Sequence, residues 1–335
     1  PEVEVRLRRS DPSEPGLARR RHGSGFSYAG PDGARLTEPE VLARIDELRI
    51  PPAWQDVWIC PWPNGHLQVL GTDDAGRRQY LYHEAWRVRR DREKYVRAES
   101  LGRCLPVVRT RLQGHLDDAG LSRTRVLAAA LRLVDLGLFR AGGEEYARTN
   151  GSVGLATAQR EHVVVRKGSV VLSFQAKSGV MFSQEIEDPS VCEVVRALVR
   201  RKDPSGQLLA WWEPGERAWK GVRSDQLNVF LREVAKQELT VKDFRTWHAS
   251  VLMSMTLADE PPDVGHTRRQ RVIATAYKQV AEVLHNTPAV TRSAYVDPRV
   301  IDLWQAGRGL PRASASTELV PLKASRALTR LLRVA

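Results

Sequence analysis

The spacing of apolar and polar residues changes period several times along the chain, and each change predicts a different element. The first thirty or so residues show no sustained period and are rich in Arg, Gly, Ser and Pro, which predicts an irregular arm. Thr37 and Glu40 then stand at capping-box spacing, predicting a helix to about Arg49 that Pro51 and Pro52 stop. Strand periodicity follows over Val57–Cys60, His66–Leu70 and Arg78–His83, separated by the turn sequences PWPNG and GTDDAG. In the third run the alternation places Gln79 and Leu81 on one face of a sheet and Tyr80 and Tyr82 on the other. Tyrosines so placed either close a small core or present a face to a partner.

The charged run Arg87–Lys94 has few apolar positions and predicts a connector or an exposed helix, so a boundary between two domains, 1–90 and 91–335, is expected there. Farther on, Ser122 is a suitable N-cap for the broad apolar face of VLAAALRLVDLGLF, predicting a buried helix that finishes at Gly142 and Gly143 with Arg140 in its last turn. The helix dipole favours a cation there, which gives Arg140 a structural alternative to any chemical role. Runs of β-branched residues between His162 and Glu185, broken at RKGS and AKSG, predict a three-stranded meander with Lys177 in its second turn. Helical periods return from about Pro189 and include Val222–Glu238, Val241–Ala258 and Arg268–Leu284. Arg245 then falls in the first turns of a helix, with Lys242 on the same side. Asn286-Thr287-Pro288 reads as a helix stop, Asn286 tolerating the left-handed conformation, and a short helix or turn carries Tyr295. The expected fold class is α+β: a small amino-terminal sheet domain with a helix, and a larger, mostly helical domain carrying the meander.

Composition narrows the partner. Lys and Arg number 52 against 40 Asp and Glu, a net charge of +12 with a pI near 10.0, which favours a polyanion and nucleic acid first. The arginines gather in RRRH, RVRRDR, RRK and RRQR, as a binding footprint would. Cys60, Cys104 and Cys192 are odd in number and far apart, so reduced thiols are expected rather than a zinc site or a disulfide framework. No run approaches the roughly twenty apolar residues of a membrane span, and the amino terminus lacks a signal-peptide core. A cytoplasmic, nucleoid-associated protein without membrane contact is expected. The sequence carries no repeat, coiled-coil heptad, Gly-rich phosphate loop or paired-carboxylate motif, so neither ATP, a cofactor nor a metal is implied.

Five polar residues together suggest chemistry on a phosphate: Arg140 in LFRAG, Lys177 in QAKSG, Arg245 in DFRTWHAS, Asn286 in LHNTPAV and Tyr295 in RSAYVDP. Two guanidiniums clamp a phosphodiester through charge-assisted hydrogen bonds, and an amide donates to a non-bridging oxygen without changing protonation state. A phenol is a nucleophile able to hold a phosphoryl group, and a lysine can protonate a departing alkoxide. Singly, each residue also fits a solvated charge, a cap or a packing position.

The words RAG, FRTWHAS, HNTP and SAYVDP, in this order and spacing, resemble type IB DNA topoisomerases in the compact form of bacteria and poxviruses. The likeness covers most of the chain and extends to VLGTDDAGRRQYLY, Val69–Tyr82, which is similar to the DNA-facing sheet of the family's small amino-terminal domain. It implies attack by Tyr295 on the DNA backbone to give a 3′-phosphotyrosyl enzyme and a free 5′-hydroxyl, with resealing by the reverse step and no need of ATP or an obligatory metal. In that scheme Arg140, Arg245 and Asn286 stabilise the phosphate and Lys177 donates the proton. The resemblance further implies DNA contacts from Tyr146, Gln79, Tyr80, Tyr82 and Lys242, in a monomer that closes around double-stranded DNA. One departure stands out: the family commonly has histidine at the position of Asn286, and His285 is one place out of register. A tyrosine recombinase would share arginines, a lysine and a tyrosine on a helical domain, and a DNA-binding protein without chemistry would share the charge. The Val69–Tyr82 sheet and the FRTWHAS word favour the topoisomerase.

Overall fold

The computed structural model describes residues 6–143, 151–176, 179–262, 265–311 and 320–333. The chain divides into two units, Pro1–Glu93 and Lys94–Ala335. It is α+β throughout.

In the first unit the arginine-rich start is not an irregular arm. β1 (Leu17–His22) and β2 (Gly25–Ala29) form a hairpin whose two-residue turn begins at Gly23, φ 59°, the positive value that such turns favour. Arg19 is responsible for much of the order: its guanidinium donates to the carbonyls of Ile50, Pro51 and Trp54 and lies 4.1 Å from the centre of the Phe26 ring. Arginine thus acts here as an internal strut, and its polarity masks an amphipathic strand. β3 (Gln55–Ile59), β4 (Leu67–Thr72) and β5 (Arg78–Tyr82) complete an antiparallel sheet in the order β2-β1-β3-β4-β5. Helix α1 (Pro39–Glu47) buries Ile45 against Leu17, Val57, Ile59 and Val69. The expected Thr37–Glu40 capping box does not form, because Pro39, with its fixed φ and missing N–H, takes the first helical position. Glu38 becomes the N-cap instead, and its carboxylate accepts from the Thr37 amide at 3.0 Å.

Helix α2 (Glu84–Leu116) absorbs the charged run Arg87–Lys94, and the division between the units falls within it. Its early arginines are solvated, while Ala98, Leu101, Leu105, Val108, Leu112 and Leu116 recur at helical spacing and are buried in the second unit.

The hub of that unit is α3 (Arg123–Gly137), which is buried along most of its length. Ser122 caps it as expected, accepting from the Arg125 amide. Helices α4 (Pro189–Arg200), α5 (Ser224–Ala235) and α6 (Val241–Ala258) pack around it. So does the meander of β6 (Val163–Val165), β7 (Val170–Gln175) and β8 (Met181–Ile186). A second hairpin, β9 (Ala210–Glu213) with β10 (Ala218–Gly221), interrupts the helices where none was expected, pairing Trp212 with Trp219. The remaining helices are α7 (His266–Val283), α8 (Pro288–Ala294), α9 (Pro298–Gln305) and α10 (Leu322–Leu332).

Two expected helix ends are displaced. α3 stops at Gly137 rather than Gly142, because Leu138 turns left-handed (φ 55°) and Phe139 folds back over Gly137, where a Cβ would lie 2.2 Å from its ring. Arg140 therefore lies beyond the helix and not in its last turn. At the end of α7 the left-handed residue is His285 (φ 47°), not Asn286.

Trp247 of α6 is the largest fully buried side chain; it lies over Gly102 of α2 and donates to Ser325 Oγ of α10 at 2.8 Å. A Cβ at position 102 would come within 2.3 Å of the indole. Gly102→Ala should gain about 1 kcal/mol of helix propensity but lose about 1–3 kcal/mol to overpacking. Net destabilisation is expected, read as a lower urea midpoint at unchanged slope.

Candidate active site

Arg245 organises the site. It projects from the second turn of α6 and is 2% exposed. One terminal nitrogen donates to the carbonyl of Leu138, the other to that of Leu284 at 2.8 Å. These two residues are the C-caps of α3 and α7, so the guanidinium sits where two helices end and their carbonyls lack intrahelical partners. Past each cap the chain reverses, through left-handed Leu138 in one case and left-handed His285 in the other. The reversals bring Arg140 and Asn286 together: Arg140 Nη2 donates to Asn286 Oδ1 and, at 3.4 Å, to the His285 carbonyl. The acceptor end of the Asn286 amide is thereby occupied, while its Nδ2 is buried without a hydrogen-bond partner among the described residues.

Tyr295 closes the group. It caps α8, its amide donating to Thr291 O at 3.2 Å, and its ring centre lies 5.1 Å from the Arg245 guanidinium carbon and 5.9 Å from Lys242 Nζ. Neighbours fix it on both sides. Lys94 donates to the Ser293 carbonyl at 3.4 Å, and Ser250 Oγ, one turn and more along α6 from Arg245, accepts from the Asp297 amide at 3.0 Å. Burial by itself would raise the phenol pKa, but the charge and hydrogen bond of Arg245, then the charges of Arg140 and Lys242, outweigh it and hold the group below its usual 10. Burial likewise pushes Arg245 down to about 10, partly opposed by Tyr295, so it keeps its charge at neutral pH. His285 is also lowered, first by burial and then by the two arginines, and its ring packs 4.5 Å from that of Phe182. It is turned to packing, consistent with its place out of register.

Four of the five residues expected to act on phosphate are thus brought together: Arg140, Arg245, Asn286 and Tyr295. Lys177 and Tyr146 lie outside the described residues. Lys242 is exposed at the rim. In the first unit Tyr80 and Tyr82 are 45% and 40% exposed and stack at 6.1 Å on the outer face of β5. Gln79 points to the opposite face with Leu81 and donates to Asp73 at 2.8 Å. Sequence reasoning overlooked Asp135, Arg109, His248 and Ser250. Signals for three of them were present: an aspartate inside an apolar helix, and a histidine and a serine inside FRTWHAS beside Arg245. Among the described residues no three His, Cys, Asp or Glu side chains converge as metal ligands, and no helix is long and apolar enough to cross a membrane.

Residues 83–302 match the family model of the eukaryotic DNA topoisomerase I catalytic core, and residues 25–73 match that of the bacterial DNA topoisomerase IB N-terminal domain. The chain belongs to the type IB DNA topoisomerase family. DNA topoisomerase 1B of Acanthamoeba polyphaga mimivirus is 30% identical over 294 residues, 87% of this chain and 88% of that one. DNA topoisomerase 1B of Vaccinia virus (strain Copenhagen) is 20% identical over 281 residues, 82% and 85% of the two chains. DNA topoisomerase 1 alpha of Arabidopsis thaliana is 25% identical over 205 residues, 61% of this chain but 21% of that one. The matched core takes in Arg140, Arg245, Asn286 and Tyr295, so the cluster lies inside the segment that defines this topoisomerase family.

The electrostatics of this cluster can be tested without substrate. Arg245→Met removes the charge and hydrogen bond that do most to oppose burial at Tyr295, so the phenol should titrate higher than in the parent. NMR titration of tyrosine labelled at Cζ reads this directly, and an unmoved Tyr295 resonance would show that Arg245 does not control it.

Proposed function

We propose that this enzyme relaxes supercoiled double-stranded DNA by transient cleavage of one strand through Tyr295. The observation that carries the proposal is a buried phenol held below its usual pKa by guanidiniums that are themselves fixed by backbone carbonyls. Tyr295 Oη loses its phenolic proton as it forms a bond to the phosphorus, the bond from phosphorus to the 5′ oxygen breaks, and that oxygen leaves with a proton from a separate donor. The 3′-phosphotyrosyl link conserves the bond energy, so the 5′-hydroxyl can reverse the step and no ATP is consumed. Arg140 and Arg245 oppose the charge that gathers on the non-bridging oxygens, and Asn286 Nδ2, without a partner among the described residues, supplies a further donor. A single such donor is worth about 3–4 kcal/mol in comparable oxyanion sites. Lys177 is assigned the proton donor to the leaving oxygen. Tyr80, Tyr82, Gln79, Lys242 and Tyr146 are assigned to DNA contact, the enzyme acting as a nucleoid-associated monomer with domains 1–90 and 91–335. Attraction to phosphate supplies the affinity, a reading supported by the net charge of +12.

Tyr295→Phe removes only the nucleophilic oxygen. The variant should bind duplex as the parent does, leave supercoiled plasmid unrelaxed in the absence of ATP and magnesium, and form no denaturant-resistant protein–DNA adduct. An adduct formed by this variant would overturn the assignment.

Lys177 is separated from the arginines by the leaving group. A thiolate departs without the proton that an alkoxide needs, its conjugate acid having a pKa of about 8.5. With sulfur in place of the bridging 5′ oxygen, Lys177→Ala should recover most of its cleavage rate while Arg245→Ala remains slow. Equal defects of Lys177→Ala on both substrates would leave Lys177 a phosphate-binding charge.

A further inference from the structure

The mechanism above leaves one buried polar cluster unused. Asp135, in the last turn of α3, is entirely enclosed. Its Oδ1 accepts from His248 Nε2 at 2.9 Å and from Arg109 Nη2 at 3.0 Å. Its Oδ2 accepts from Arg109 Nε and from Arg132 Nη1, both at 2.7 Å. Arg132 reaches on to Asp188, the N-cap of α4, at 3.1 Å. Four donors to one carboxylate keep it ionised, and its pKa lies well below the usual range because the bonds and charges of His248 and Arg109 override burial. An ionised carboxylate only accepts, so His248 Nε2 must carry the hydrogen in this bond. His248 Nδ1 is buried with no partner among the described residues. An unsatisfied buried nitrogen costs free energy, and the bond that Nε2 makes to Asp135 works against that cost.

The position of that bond gives it meaning. Asp135 precedes Leu138 by one helical turn on α3, and His248 follows Arg245 by one turn on α6. The helices therefore run antiparallel here and are joined at two successive points, by Arg245 to the Leu138 carbonyl and by His248 to Asp135. The first contact alone would allow α6 to turn or slide against α3, carrying the Arg245 guanidinium across the Tyr295 ring. The second removes that freedom.

We infer that His248 and Asp135 are positioning residues for strand cleavage, forming the second point of a clamp that sets the placement of Arg245 against Tyr295. The inference rests on the assignment of Arg245 and Tyr295 to cleavage. The pair touches neither substrate nor the reacting atoms; it acts through Arg245, with Arg109 of α2 and Arg132 of α3 holding the carboxylate from the other sides.

Two substitutions of equal polarity separate this role from packing. In His248→Gln the amide nitrogen reaches about as far as Nε2 and can still donate to Asp135, whereas in His248→Asn it falls short by one methylene. The glutamine variant should cleave a defined duplex within about threefold of the parent in single turnover, and the asparagine variant should be slower by about tenfold or more at unchanged DNA affinity. The rise of the asparagine variant's rate with pH should also be displaced upward, because Arg245, with Lys242 and Arg140 the cations facing Tyr295, would no longer be in register with the phenol. Equal rates for the two variants, or a loss in the asparagine variant that tracks folded fraction by circular dichroism with no displacement of the profile, would overturn the inference. Tyr295→Phe, run alongside, distinguishes the failures: an adduct in that variant would defeat the cleavage assignment itself, independently of His248.

Discussion

The placement of one buried guanidinium conditions everything else in the larger unit. Arg245 cannot be solvated by water, so it is solvated by the protein, through carbonyls released where α3 and α7 end. Among the described residues no carboxylate pairs with it. Carbonyl dipoles stabilise the cation without cancelling its field, and the field remains directed at Tyr295 and at whatever anion approaches. A salt bridge in the same place would have given a comparable resting fold and a weaker attraction for phosphate. The protein does place carboxylates against arginine nearby, at Asp135 and Asp297, but each of those braces a helix rather than the phenol.

The same restraint governs the neighbours. Asn286 uses its oxygen on Arg140 and keeps its nitrogen without a partner among the described residues, so the orientation of the amide is decided before a ligand arrives. A histidine there would offer one donor by virtue of its tautomer; the asparagine offers one by virtue of a neighbour. The segment carrying Tyr295 is pinned through its backbone, at Ser293 by Lys94 and at Asp297 by Ser250, which leaves the phenol itself to respond to charge. Precise placement of this kind is what an electrostatic mechanism needs, since dipoles fixed in advance cost no reorganisation during reaction.

Much of this was legible in the sequence, and the failures have a common cause. Periodicity located the three later strands of the small sheet, Ser122 as a cap, the meander, and the long helices bearing Arg245 and ending before Asn286, because burial of an apolar face writes itself into spacing. The same rule put Tyr80 and Tyr82 on one face of β5, while the outward direction of that face came only from the structure. What was missed involves polar groups that face inward. The arginines of β1, Arg19 among them, made a strand look like part of an irregular arm, and Asp135 is a single polar residue in an apolar helix that gives no local sign of its partners. His248 and Ser250 lay inside FRTWHAS, a word that marked the family but in which only Arg245 was given a role. Displaced helix ends belong with these: Phe139 folding onto Gly137 and Pro39 taking a helix start are tertiary and steric choices that a local pattern does not carry.

Neither left-handed turn beside Arg245 is made by glycine. Leu138 and His285 adopt a conformation that costs an L-residue about 1–2 kcal/mol. Glycine would relieve the strain, but it would also admit many other backbone paths and release Arg140 and Asn286 from one another. The buried leucine and the histidine ring packed on Phe182 leave each turn a single path. Local strain has been exchanged for conformational order, and natural or engineered changes that raise the thermal resistance of these turns by relaxing them would tend to blunt the enzyme.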